Sequence, residues 1–294
     1  MSRAIELNGR MVGEGQPIYF IAEIGLNHNG DLGLAKQLIE VAKTTGCDAV
    51  KFQKRTPEKC VPPEMRDRMR ETPWGYITYL EYRYKIEFGY DEFQEIDRYC
   101  HELGIDWLSS CWDVESVDFI SQFDVPCFKV ASATLTHRAL LERLRATGKP
   151  VVLSTGMSTM EEIRAAVSVL DQNNLLIAHS TSTYPCNNEE LNLRVITALS
   201  EEFHCPIGYS GHEVGLATTV AAVALGASFV ERHITLNRAM WGSDQSASVE
   251  PQGLARLIKD IRNVDRAMGD GIKRVYESEQ PTMQRLRLHN NLVN

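Results

Sequence analysis

One unit recurs along this chain: a short apolar run of strand length, then a stretch with helical spacing. Tyr19 to Gly25 is the first run, and Asp31 to Thr45 follows it with apolar residues at Leu34, Leu38, Val41 and Ala42. Ala49 to Gln53 is the second. After an insertion, Glu92 to Leu103 is helical and Asp106 to Ser110 is the third strand. Cys127–Ser132, Pro150–Thr155 and Leu175–Ser180 give the fourth, fifth and sixth. Pro206–Ser210 is the seventh, and Ser228–Val230, running on through Glu231 to His233, is the eighth. Leu216–Leu225 between these two, and Gln252–Met268 after them, have helical length. Strands that alternate with helices pair in parallel. Eight such units in about 250 residues is the size of a (β/α)8 barrel. A doubly wound sheet needs fewer strands, and Gly25-Leu-Asn-His-Asn-Gly30 has the wrong glycine spacing for a dinucleotide turn.

Two segments fall outside the alternation. Residues 1–18 read as an N-terminal hairpin turned at Asn8-Gly9, closing the barrel floor. Residues 54–90 form a long second connection rich in proline, arginine and aromatics, which reads as a lid over an active site. No repeat or linker divides residues 1–294, so a single barrel domain is expected. The charge balance, 31 basic against 39 acidic residues, argues against a broad nucleic-acid or anionic-membrane surface. Seven scattered cysteines without a CxxC fit reduced thiols. With no signal-peptide core and no membrane-length apolar run, the expectation is a cytoplasmic protein.

In a parallel barrel, chemistry gathers at the C-terminal ends of the strands. Those positions read Glu23, Asn27, Lys51, Gln53, Ser110, Lys129, Ser132, Ser154, Thr155, Ser182, Tyr184, Ser210, His212, Glu231 and His233. A serine there can simply cap a helix, as Ser154, Ser158 or Thr159 could. A lysine inside an apolar strand needs an anion beside it. Lys51 and Lys129, with the serines, read as a pocket for a phosphate and a carboxylate. His212 in Gly208-Tyr-Ser-Gly-His212 and His233 in Glu231-Arg-His233 each end a strand, which suits a divalent metal on neutral imidazoles. The plain alternative is one histidine in a turn and one satisfied in the core. A metal beside such a pocket points to phosphoenolpyruvate meeting a carbonyl compound, with Glu23 and Glu231 as acid–base groups or anchors.

The chain also resembles the sialic acid (N-acetylneuraminate) synthase family from about residue 15 to 290. The segments that carry the resemblance are Ile21–Gly30, Ala49–Gln53, Val151–Met157, Ser180–Pro185, Gly208–His212 and Glu231–Thr235. It implies phosphoenolpyruvate contacts at Lys51, Ser110, Lys129, Ser132, Ser154, Ser182 and Ser210, and a manganese-type ion (magnesium or cobalt being alternatives) on His212 and His233. It further implies a sugar side at Tyr184 and Asp244, with Glu23 and Glu231 near the metal waters; the groups expected to be catalytic are Glu23, Glu231 and Lys129. The activity implied is condensation of phosphoenolpyruvate with an aldose, N-acetylmannosamine or a related sugar, to a 2-keto-3-deoxy acid with release of phosphate. A homodimer is a further expectation. Departures stand at Thr134, Asn237 and Gln245, where the family usually has Glu, Asp and His. The small C-terminal antifreeze-like domain of many members is expected to be missing. Two rival readings are a Schiff-base aldolase or lyase using Lys129 and a non-catalytic sugar-phosphate binder.

Overall fold

Each apolar run becomes a strand, and each strand lies beside its neighbour in sequence. In the computed structural model, which describes residues 3–289, the barrel strands are Tyr19–Gly25, Ala49–Lys54, Asp106–Cys111, Phe128–Val130, Val151–Ser154, Leu175–Ser180, Ile207–Gly211 and Phe229–His233. All pair in parallel, and the eighth closes on the first with Glu231 opposite Ile21 and His233 opposite Glu23. The fourth strand is shorter than the run Cys127–Ser132, because its ladder ends at Lys129 on one side and Val130 on the other, and Ser132–Thr134 turns into a 3₁₀ helix.

The helices follow from caps and apolar stripes. Asp31 accepts hydrogen bonds from the Gly33 and Leu34 amides at 2.6 and 3.0 Å and starts the helix Leu32–Thr45. Its buried stripe is Ala35, Leu38, Ile39 and Ala42, a small rotation from the face expected. The helix expected from Glu92 begins two residues earlier, at Tyr90, where the Gly89 amide donates to Glu92 Oε2. These stripes pack on the outward residues of the strands, Ala22, Val50, Phe52, Phe128 and Leu153 among them. Each fully buried Leu or Phe contributes about 1.5–3 kcal/mol relative to exposure.

The hairpin expected at the floor is there. Ala4–Leu7 pairs antiparallel with Arg10–Gly13, and Asn8 and Gly9 both take positive φ (47° and 77°), as a two-residue hairpin turn requires. Its Ile5, Leu7 and Val12 join Tyr19, Ile21, Leu108 and Phe229 in a core inside the barrel. The insertion is folded rather than loose. It carries a hairpin, Met69–Thr72 with Gly75–Thr78, and a helix, Tyr79–Ile86, started by a Thr78–Glu81 capping box. Tyr82 and Ile86 pack with Leu26 and Trp241, against the loops after the first and eighth strands.

Inward-facing residues make the same change on every strand. Climbing two residues toward the C-terminal end, Ile21 gives way to Glu23, Ala49 to Lys51, Leu108 to Ser110 and Cys127 to Lys129. Val152 gives way to Ser154, Ala178 to Ser180, Gly208 to Ser210 and Phe229 to Glu231. The period of two that sends alternate side chains inward thus splits the barrel into an apolar lower half and a polar upper cup.

Candidate active site

The cup ends in a cavity of about 210 Å³ lined by Glu23, Lys51, Ser110, Lys129, Ser132, Ser154, Ser182, Tyr184, Ser210, His212, Glu231 and His233. Of the residues given a catalytic, substrate-binding or metal-binding role from the sequence, Asp244 alone is outside this wall. It stands behind His233, with Oδ2 3.8 Å from Nδ1. Larger grooves of about 630 and 600 Å³ lie beside Arg232 and under the floor hairpin, but neither collects the strand ends.

The anions that Lys51 and Lys129 need are already present. Lys51 Nζ is 2.8 Å from Glu23 and 3.7 Å from Glu231, and Lys129 Nζ donates to Glu231 at 2.9 Å. The sequence reading assigned both lysines to a ligand; the structure gives them internal partners first. Ser210 donates to Glu231 at 3.1 Å and Gln53 to Glu23 at 3.0 Å. Two cations and two anions, all buried, cancel. Burial lifts the Glu23 carboxyl to about 7 against the pull of Lys51, with Glu231 adding to the rise. At Glu231 the opposite balance holds: burial raises it, but Lys129 and Lys51 outweigh burial and hold it at about 2. Burial lowers Lys129, while Glu23 and Glu231 together outweigh burial at Lys51 and raise it. Glu23 is therefore the group poised to exchange a proton near neutrality.

A hydroxyl cradle adjoins the network. The Gly156 amide donates to Ser132 Oγ at 3.1 Å, and Ser182 Oγ is buried without a hydrogen-bond partner. A Cβ at position 156 would stand 2.2 Å from Ser182 Oγ and 2.7 Å from Ser132 Oγ, so the approach depends on glycine. Of the residues that could cap the helix after the fifth strand, Thr159 does so, which leaves Ser154 free of that role.

His212 and His233 come together, their ring centroids 5.5 Å apart under the Tyr184 ring. His212 Nδ1 donates to the Thr181 carbonyl at 2.7 Å, which leaves Nε2 as a lone-pair donor. His233 Nδ1 is buried with no hydrogen-bond partner. Burial, reinforced by His233, pushes His212 down to about 4, and burial lowers His233 as well, so both rings are neutral near pH 7. Among the described residues, no three His, Cys, Asp or Glu side chains converge as a protein-only metal cage.

The three positions at which the chain departs from the family pattern have other duties. Gln245 is buried, accepts from Thr235 and donates to the Trp241 carbonyl at 3.3 Å. Asn237 Oδ1 accepts from the Ala239 amide, and Thr134 Oγ1 donates to the Ala131 carbonyl. None of them lines the cavity, and no residue of the 54–90 insertion does either. Gln53, Trp112 and Met157 do line it. Gln53 was among the strand-end positions read from the sequence, the next inward residue after Lys51, whereas Trp112 and Met157 lie past strand ends, where period two carries no signal.

A closed eight-stranded parallel barrel with titratable groups gathered in its C-terminal cup is the architecture of a barrel enzyme. The chain belongs to the NeuB family, whose model matches residues 38–273, as the resemblance to sialic acid synthases implied. Human N-acetylneuraminate-9-phosphate synthase is 41% identical over 283 residues, 95% of this chain and 79% of that one. The N,N'-diacetyllegionaminic acid synthase of Campylobacter jejuni is 38% identical over 274 residues, 91% and 82% of the two chains. Among solved structures, the N-acetylneuraminic acid synthetase of Leptospira borgpetersenii, in complex with citrate, superposes with a TM-score of 0.88 at 31% identity, covering 98% of this chain and 99% of that chain. No helix among the described residues is long and apolar enough to cross a membrane.

Proposed function

We propose that the protein condenses phosphoenolpyruvate with an open-chain aldose to give a 2-keto-3-deoxy sugar acid and phosphate. The observation that carries this reading is the serine cradle around Gly156 beside a buried, charge-balanced Lys51–Glu23–Glu231–Lys129 network. Ser132, Ser154, Ser182 and the Gly156 amide would hold the phosphate; Lys129, Lys51, Ser110 and Ser210 would hold the carboxylate end. A cavity of about 210 Å³ suits a three-carbon phosphoester, with the aldose entering past Tyr184 at the mouth. The enol carbon attacks the aldehyde carbon, and the aldehyde oxygen takes up a proton. Water adds to the neighbouring carbon, the C–O bond to phosphate breaks, and phosphate leaves. Glu23, titrating near neutrality, is the proton carrier, and Glu231 stays ionised to hold both lysines. His212 and His233 would hold a divalent ion, manganese fitting best and magnesium or cobalt being alternatives, to polarise the aldehyde.

The test is phosphate release from phosphoenolpyruvate across a panel of aldoses with Mn²⁺, with and without EDTA. Aldose-dependent release abolished by EDTA and restored by metal is the expected result. Trapping of pyruvate on Lys129 by borohydride, with EDTA-insensitive turnover, would instead make the protein a Schiff-base aldolase. The panel includes phosphorylated and unphosphorylated aldoses, because the relatives include both an N-acetylneuraminate-9-phosphate synthase and an N,N'-diacetyllegionaminic acid synthase.

A further inference from the structure

His212 and His233 sit just past the point where the seventh and eighth strands stop pairing. The ladder between these strands runs from Tyr209 opposite Val230 to Gly211 opposite Arg232. Ser210 and Glu231 are therefore held together by a rung, whereas His212 and His233 are not. What spans the seam at that height is a pair of side chains on the outer side of the wall. Alternation sends Arg232 out of the barrel between the inward residues Glu231 and His233. There it meets Glu213, the residue after His212. Arg232 Nη1 donates to Glu213 Oε1 at 3.0 Å, and Nη2 donates to the Glu213 carbonyl at 2.7 Å. Nη1 also donates to the Gly215 carbonyl at 3.1 Å and to the Thr219 hydroxyl. Glu213 is held from further sides. The Tyr209 hydroxyl donates to its Oε2 at 2.9 Å, and the Thr218 and Thr219 hydroxyls each donate to its Oε1 at 2.8 Å. Both partners are fully buried, and neither lines the catalytic cavity.

A buried ion pair adds little stability by itself, because desolvating two charges offsets their attraction. What a hydrogen-bonded pair of this kind supplies is a fixed arrangement of the backbones that carry it. We infer that Arg232 and Glu213 are positioning residues that set the spacing of His212 and His233 for a divalent ion. One member of the pair directly follows the first histidine and the other directly precedes the second, so each histidine is one residue from an anchored neighbour. The bond from Arg232 to the Glu213 carbonyl grips the main chain itself, at the residue that His212 must follow in any shift. The inference rests on the metal side of the synthase reading. With two imidazoles and no third protein ligand among the described residues, affinity depends on how well both rings are prearranged.

The experiment titrates Mn²⁺, and separately phosphoenolpyruvate without metal, into the full chain by calorimetry. Arg232→Met removes the cation of the pair and Arg232→Lys keeps it. Arg232→Met should bind Mn²⁺ about 10- to 100-fold more weakly, the usual loss when a metal ligand is no longer held in place. Arg232→Lys should recover most of that loss. Phosphoenolpyruvate should bind both variants as it binds the wild type, because Ser210 and Glu231 keep their rung. Arg232→Met leaves a buried carboxylate unpaired, which endangers the fold. The double variant Glu213→Leu with Arg232→Met replaces the pair by apolar groups, an exchange that is often neutral for stability, and should lose the same Mn²⁺ affinity. Unchanged Mn²⁺ affinity in the folded variants overturns the inference. Equal losses for Mn²⁺ and phosphoenolpyruvate overturn it too, by making the pair a general support of the barrel. Mn²⁺ binding that is present in the wild type and weakened in the variants, with no phosphate release from phosphoenolpyruvate on any aldose, would uphold the positioning role and refute the synthase reading.

Discussion

At the scale of single residues, Glu23 gives the sharpest prediction. Its carboxyl is raised from 4.5 to about 7 in the fold. The folded state therefore binds more protons than the unfolded chain between those values, and stability falls as pH rises through them. Its contribution is fully present below 4.5 and lost above 7. Glu23→Gln removes that dependence, so the variant should gain on the wild type in thermal midpoint as pH rises from 5 to 7, then run parallel; scanning calorimetry at stepped pH reads this directly. His212 acts in the opposite sense. Held at about 4 against an ordinary 6.5, it withdraws stability as pH falls below 6.5. A second residue-scale prediction concerns metal. His233→Ala should weaken Mn²⁺ binding about tenfold or more by titration calorimetry, and unchanged affinity would remove the metal proposal.

At the scale of elements, the barrel's two ends do different work. The hairpin Ala4–Leu7 with Arg10–Gly13 seals the apolar lower half, and its Leu7 and Val12 are buried there. Leu7→Ala should cost about 2–5 kcal/mol of stability by urea titration. The Michaelis constant for phosphoenolpyruvate should stay near that of the wild type, because the substitution is at the opposite end from the cup. A large rise in that constant would mean that the floor positions the site. Strands and hairpin were legible in the sequence because period two and the Asn8-Gly9 pair are local signals. The insertion was legible only as a long aromatic connection. Its hairpin and capped helix owe their placement to Tyr82 and Ile86 packing on Leu26 and Trp241, contacts made across the fold. Helix periodicity likewise located Leu32–Thr45 but turned its buried face slightly, since Ile39 rather than Leu34 meets the strands.

At the scale of the whole molecule, the sequence reading reached the closed barrel but not the side-chain pairings that closure makes across it. Glu231 lies 102 residues from Lys129, and the eighth strand meets the first only because the sheet closes. Reading strand ends one by one therefore found both lysines and both glutamates without pairing them. Their pairing has a consequence for ligand entry. A cup that already sums to zero charge has no spare cation to offer a phosphorylated carboxylate, and Glu23 is the nearest group able to give up its charge. Binding should then draw protons out of solution. Titrations of phosphoenolpyruvate in buffers of different ionisation heat should show an enthalpy that depends on the buffer, with the slope of net proton uptake near neutral pH and a flat response in Glu23→Gln. The protein would in that case admit its anion by taking on a hydrogen ion, and acidifying the solution slightly would tighten the complex.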